Sequence, residues 1–282
     1  MANDCLLTKL KGVVDNDNLK IYNTILTREN TSGNVLTFLY NASNPVKIEV
    51  IGDGTLVNVD GTVDYGKSRE GTNIFAKYSG NGKIKISNKY DITLLHITSS
   101  TEKDLIDAED LVFVNITELE LTNIKLDVNK LNITTLSNFL FTGSNVNGNI
   151  VNLLNKNDSL TSVKFNNTNV VGDFYNIKNT IAEAITTLYM YNSKISGDIS
   201  AFGRFVNLNQ MSFSATDISG SVESFVQAAR AAGRTSFANS EQKNWYFNNA
   251  ITFNGNAVGG GGKNDFSWTA TTITLGGVTI TA

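Results

Sequence analysis

Ile185-Thr-Thr-Leu188-Tyr-Met190-Tyr-Asn-Ser193-Lys-Ile195-Ser-Gly197-Asp-Ile199 carries apolar residues at its first, fourth and sixth positions, a small hydroxyl at the ninth, a branched aliphatic at the eleventh, glycine at the thirteenth and an apolar residue at the fifteenth. The same seven positions recur as Leu136, Phe139, Phe141, Ser144, Val146, Gly148 and Ile150, and as Leu160, Val163, Phe165, Thr168, Val170, Gly172 and Phe174. They return once more as Leu208, Met211, Phe213, Thr216, Ile218, Gly220 and Val222. Gly148, Gly172, Gly197 and Gly220 lie 24, 25 and 23 residues apart. A fixed period of this length marks a unit that cannot bury its apolar side alone and must stack on its neighbours.

Positions 4 and 6 alternate with mostly polar residues, which predicts a short strand with those two positions inward and strands of successive copies side by side in a parallel sheet. Ser144, Thr168, Ser193 and Thr216 are placed to satisfy the backbone of the turn leaving each strand through a hydroxyl. Glycine at position 13 suits a positive φ or a close approach to the next copy. The period and the template resemble leucine-rich-repeat coils, with hydroxyls in place of the usual asparagine at position 9. Ile195-Ser-Gly-Asp-Ile199 resembles the second half of the plant-type repeat without its proline.

Working outward, Ile92-x-x-Leu95-x-Ile97 and Ile116-x-x-Leu119-x-Leu121 read as degenerate lead-in copies, with Ile124 and Val128 where hydroxyl and glycine should stand. Before them, Val35 to Tyr40, Val46 to Ile51, Thr55 to Val59, Ile74 to Tyr78 and Lys83 to Ser87 are predicted strands separated by Ser-Gly, Asn-Pro, Asp-Gly and Asn-Gly turns. After the fourth copy, Val222, Phe225, Val226 and Ala229 fall at helical spacing and the helix should stop at Gly233. Trp245 to Phe253 suggests a hairpin or edge strands, residues 259–262 are four glycines that read as a hinge, and Ile273, Leu275, Val278 and Ile280 alternate around Gly276-Gly277 as a hairpin. The expected fold is mainly β with short helices: a small antiparallel β-domain followed by a leucine-rich-repeat-like solenoid. The expected divisions are an arm over residues 1–20, the antiparallel domain over 21–90, the solenoid over 91–234, and a cap, glycine hinge and hairpin over 235–282. Both ends carry apolar strand-like material that a partner could complete.

The chain has 282 residues, 41% of them apolar, enough for sizeable cores. A net charge of −3 and a pI near 5.3 give no electrostatic case for nucleic acid or an anionic membrane. With Cys5 as the single cysteine, no intrachain disulfide can form. No run of 18 apolar residues predicts a membrane span, and Met1 to Leu10 lacks the apolar core of a signal peptide, so a soluble chain without membrane insertion is expected. His96, the single histidine, sits on a predicted strand with no cysteine or second histidine nearby for zinc, and reads as structural. Asp15-Asn-Asp17-Asn18 resembles the start of a calcium loop but lacks its glycine and distal glutamate. Asp104, Asp107, Glu109 and Asp110 read as a charged loop as readily as paired catalytic carboxylates. Gly52-Asp-Gly54 and Gly80-Asn-Gly82 are turn signals and cradle no phosphate. No catalytic residue, metal or cofactor is expected.

The opening Met1-Ala-Asn-Asp-Cys-Leu-Leu-Thr-Lys-Leu-Lys-Gly-Val-Val-Asp-Asn-Asp-Asn-Leu19, together with Ser87-Asn-Lys-Tyr-Asp-Ile-Thr-Leu-Leu95 ahead of the repeats, resembles proteins of crAss-like and related phages of gut Bacteroidales. In those proteins a similar head segment precedes a β-domain and a repeat region. The resemblance implies a virion-surface component such as a head fibre, tail fibre or decoration protein; the lack of a long shaft favours a compact decoration or short head-fibre role. It transfers no catalytic residue. On this reading Leu6, Leu7, Leu10, Val13 and Val14 form an anchoring arm that packs on capsid or tail proteins, and the protein is a homo-oligomer on the virion surface. The alternative is an adhesion or host-interaction protein whose repeats bind a host surface protein or glycan. In either case the binding face is expected at positions 3, 5 and 7, outward on the sheet, with Lys164, Asn166, Thr187, Tyr189, Tyr191, Gln210 and Ser212 as its candidates. Tyr189 and Tyr191 are the rigid amphipathic pair within it.

Overall fold

The computed structural model describes residues 35–52, 58–61, 66–70, 73–87, 89–104, 113, 115–238, 245–259 and 261–282. The expected arm, with Leu6, Leu7, Leu10, Val13 and Val14, lies outside the described residues, as do Asp107, Glu109 and Asp110. The described chain is mainly β with short helices.

Strand β1 (Val35–Gly52) pairs antiparallel with β2 (Asn73–Ser87) on one side and β3 (Ile92–Asp104) on the other. From β3 onward the pairing is parallel. Next to it in order lie β4 (Glu118–Asp127), β5 (Asn138–Thr142), β6 (Ser162–Asn166), β7 (Thr187–Tyr189), β8 (Gln210–Ser212) and β9 (Trp245–Tyr246). The antiparallel and parallel parts are therefore one continuous sheet, joined through β3.

Register explains why the sheet holds. Ile74, Val50, Leu95, Leu119, Phe139, Val163, Leu188, Met211 and Trp245 stand opposite one another from strand to strand in a single buried row. Ala76, Ile48, Ile97, Leu121, Phe141 and Phe165 form a second. Each large side chain so buried stabilises by about 1.5–3 kcal/mol. Across the core from these rows, position 11 contributes Val146, Val170, Ile195 and Ile218, all buried. There Val146–Asn149 pairs parallel with Asn169–Val171, and Ser196–Asp198 with Asp217–Ser221.

Two side-chain ladders and a left-handed backbone position turn the chain between these strands. At position 9, Thr168, Ser193 and Thr216 donate to the carbonyls of Phe165, Met190 and Phe213 at 3.1, 2.7 and 2.7 Å. At position 8 the backbone is left-handed, at Gly143, Asn167, Asn192 and Ala215 with φ of 129, 56, 53 and 51°. Asparagine tolerates that conformation better than other side chains, and Asn192 Nδ2 also donates to Asn167 Oδ1 at 2.9 Å. The amide ladder that the hydroxyls were expected to replace thus survives in part, one residue earlier. Position 14 caps the helix or turn that comes next: Asn149, Asp173, Asp198 and Ser221 accept from the N–H groups of Val151, Tyr175, Ser200 and Ser224. These side chains start the helix α1 (Ile150–Leu154), the turns Phe174–Asn176 and Ile199–Arg204, and the carboxy-terminal helix Val222–Ala231. Glycine at position 13 has the expected positive φ in three copies, but its close approach is to the copy before it and not to the next. Gly148, Gly197 and Gly220 have φ of 101, 125 and 111°, while a Cβ on Gly172 would lie 2.8 Å from Val151 Cγ2.

The amino-terminal strands are longer than the turn signals predicted. Asn44-Pro45 does not end a strand; it lies in β1 where the register with β2 shifts between Ala42 and Val46, and a bulge tolerates a residue without an N–H. Gly80-Asn81-Gly82 likewise continues β2, opposite Ala42, Asn41 and Tyr40. A neighbouring strand along its whole length overrides the local turn preference.

At the far end, the helix Val222–Ala231 buries Val222, Phe225, Val226 and Ala229. It approaches the turn before it so closely that a Cβ on Gly203 would lie 2.5 Å from Ala228 Cβ. Phe225, Phe237, Trp245, Phe247, Phe266 and Trp268 close this end as one aromatic cluster. The glycine run reaches into the sheet: Gly262–Lys263 pairs antiparallel with β9, between the buried anchors Trp245 and Phe266. Thr272–Leu275 and Val278–Thr281 form a hairpin across Gly276-Gly277, whose φ of 60 and 76° only glycine adopts easily.

Candidate functional site

The outer face of the continuous sheet carries most of the candidate residues. Its rows follow from register: Glu49, His96, Glu120, Leu140, Lys164, Tyr189, Ser212 and Tyr246 run across it from strand to strand. Beside them runs the row Leu94, Glu118, Asn138, Ser162, Thr187 and Gln210.

Lys164, Tyr189 and Gln210 interact across three strands. The Tyr189 hydroxyl donates to Gln210 Oε1 at 2.6 Å, and the Lys164 ammonium lies 5.9 Å from the centre of the Tyr189 ring. Tyr189 is accordingly half-buried and held on both sides. Tyr191, just past β7, is 42% exposed. Its carbonyl accepts from the Asn167 N–H at 3.0 Å, which fixes the backbone under an exposed ring. Thr187 is half-buried and Ser212 buried, so they form floor more than contact surface. Asn166 Oδ1 is buried and accepts no hydrogen bond. Of the seven candidates, Lys164, Tyr189 and Gln210 are thus brought into one hydrogen-bonded and cation–π group, with Tyr191 standing beside it as the exposed aromatic.

The same face carries a cluster that strand alternation placed on the outside without naming its partners. His96 Nε2 lies 2.9 Å from Glu118 Oε1 and His96 Nδ1 lies 3.4 Å from Glu49 Oε2. The imidazole links β1, β3 and β4 where antiparallel pairing gives way to parallel. No local sequence signal joins these residues, because Glu49 and Glu118 are far apart in the chain and meet through register alone. Among the described residues, no group of three or more histidine, cysteine, aspartate or glutamate side chains is arranged to hold a metal ion. No described helix is long and apolar enough to cross a membrane.

Two charged groups at the aromatic end are perturbed. Burial lowers Arg234 to about 10; its guanidinium stacks 4.6 Å from the Phe237 ring centre and donates to the Leu208 carbonyl at 2.7 Å. Burial pushes the Asp265 carboxyl up, but backbone hydrogen bonds from Gly277, Gly276 and its own N–H, with Lys263 nearby, outweigh that and hold it below the usual carboxylate range.

Comparison with protein families, with curated proteins and with solved structures finds no match to this chain.

Proposed function

We propose that this chain is a non-enzymatic structural protein of a phage virion, anchored to capsid or tail proteins by residues 1–20 and presenting a leucine-rich-repeat-like solenoid outward as a head fibre or decoration protein. The observation that carries the solenoid half of this reading is the equivalence of positions between copies. Inward rows, left-handed turn, hydroxyl ladder, glycine and helix cap each recur in most copies at the same place in the template. Such an array spends its residues on a rigid, extended outer face. The virion half is supported by the resemblance of residues 1–19 to the head segment of crAss-like phage surface proteins.

The test is incorporation. Deleting residues 1–20 should leave a soluble, folded protein that no longer copurifies with particles carrying the full-length form. Normal incorporation of the truncated chain would sink the arm as anchor, and failure of the full chain to associate with any particle would sink the virion reading.

A second reading, host adhesion through the same face, is favoured by one specific feature. Tyr191 is an exposed aromatic beside Lys164, Tyr189 and Gln210, a pairing of flat ring and polar groups suited to stacking on a sugar or anchoring a protein. Binding of the isolated chain to host cells, lost on replacing both tyrosines with serine, would decide for it.

A further inference from the structure

We propose that Val278–Thr281, the last strand of the carboxy-terminal sheet, is a self-association edge on which a second copy of this chain pairs antiparallel about a two-fold axis at Ile280. That sheet runs Phe237–Ala238, Ser267–Trp268, Thr272–Leu275, Val278–Thr281, so its last strand has a ladder partner on one side only among the described residues.

Register gives the direction of every backbone group on this strand. Leu275 stands opposite Val278 and Ile273 opposite Ile280, and the Ala282 N–H donates to the Thr271 carbonyl at 2.9 Å. Alternate residues of an antiparallel strand point their N–H and C=O groups the same way. Those of Val278 and Ile280 therefore face the hairpin, and those of Thr279 and Thr281 face outward. A second copy placed antiparallel, with Ile280 opposite the partner's Ile280, exchanges both bonds between Thr279 and the partner's Thr281, and again on the other side of the axis.

The side chains agree with the backbone. Val278 is 46% exposed and Ile280 half-buried, and they continue the apolar side of Ile273 and Leu275 past the edge of the sheet. Thr279 is occupied on the opposite side, 2.9 Å from the Thr274 hydroxyl. Exposed edges are usually guarded by lysine, proline or a bulge; Val-Thr-Ile-Thr has none. Two identical uncharged edges meet without like-charge repulsion, and an antiparallel pair of identical strands is two-fold by construction.

The strand is also held ready. The Arg230 guanidinium donates to the carbonyls of Thr269 and Thr272 at 2.6 and 3.3 Å and to the main-chain oxygen of Ala282 at 2.9 Å, and Asp265 Oδ2 accepts from the Gly277 N–H at 2.6 Å. Pairing on an edge already ordered costs less conformational entropy than ordering one on contact. So short an edge gives a weak, concentration-dependent dimer. Such a contact suits a protein displayed in many copies, where neighbours raise its effective concentration.

The inference goes beyond the virion reading and is tested on the isolated full chain, so a monomer would overturn it and leave that reading standing. Sedimentation of the chain at rising concentration should show a monomer–dimer equilibrium. Thr281→Pro removes an outward donor without touching the hairpin ladder, and Val278→Lys puts an ammonium into the apolar strip the second copy covers. Both variants should sediment as monomers with the melting temperature of the parent; if Thr281→Pro fails to fold, Val278→Lys decides alone. A parent chain that stays monomeric at its solubility limit, or dimers that persist in the folded variants, would overturn the proposal.

Discussion

Gly220 lies directly over the carboxylate of Asp198: a Cβ built on it would sit 2.6 Å from Asp198 Oδ2, and its φ is +111°. The same Asp198 uses Oδ1 to accept the Ser200 N–H at 2.8 Å. Gly220 therefore makes room for the cap of the copy before it. Gly148 repeats the relationship, with Asp127 Oδ1 2.6 Å from its built Cβ.

Gly220→Ala should destabilise by about 1–3 kcal/mol, from left-handed strain plus displacement of the cap. Gly197→Ala, with φ of +125° but nothing within 4 Å of the new methyl, should show the strain alone and cost about 1–2 kcal/mol. Equal losses in urea unfolding would remove the packing half of this account.

Phe165→Ala should cost about 3–5 kcal/mol, because the ring is fully buried opposite Phe141 and a cavity is left between two strands. A loss under about 1 kcal/mol in denaturant melting would show that the site collapses around the gap or that the row is not packed.

Tyr191→Ser should leave melting unchanged, since the ring is exposed. Tyr189→Ser should cost about 1 kcal/mol or more through the lost bond to Gln210 and the half-buried ring. Unchanged partner and host-cell binding in the double variant would leave this face as scaffold.

Asp265 predicts an acid sensitivity with a definite sign. Its folded-state pKa lies below the ordinary carboxylate value, so its contribution is complete above about pH 4 and is lost as pH falls through the lower folded value. The group is largely solvated, so the effect is a fraction of a kcal/mol. Asp265→Asn should flatten the loss of stability below about pH 4 relative to the parent; a steeper acid loss in the variant would reverse the assignment.

Period and alternation in the sequence were enough to place Leu188 and Met190 inward and Tyr189 outward, because a strand sends successive side chains to opposite faces whatever it pairs with. They were enough as well for the helix that buries Phe225 and Val226, whose spacing and capping are local. The sequence did not reveal what lies more than one copy away or depends on register. Asn44-Pro45 and Gly80-Asn81-Gly82 carry turn residues, yet the first is absorbed as a bulge between paired stretches and the second is paired opposite Ala42, Asn41 and Tyr40, so inter-strand bonds outweigh a turn preference. Position 14 was legible in principle, since Asn149, Asp173, Asp198 and Ser221 are all good helix caps, but the meeting of Asn149 with Gly172 and of Asp198 with Gly220 exists only once the copies lie side by side. His96 between Glu49 and Glu118, Tyr189 on Gln210, and Thr279 and Thr281 facing outward on an edge are decided by which strand lies beside which. That choice is made by burying the two inner rows across the whole sheet, a non-local condition that no single segment encodes.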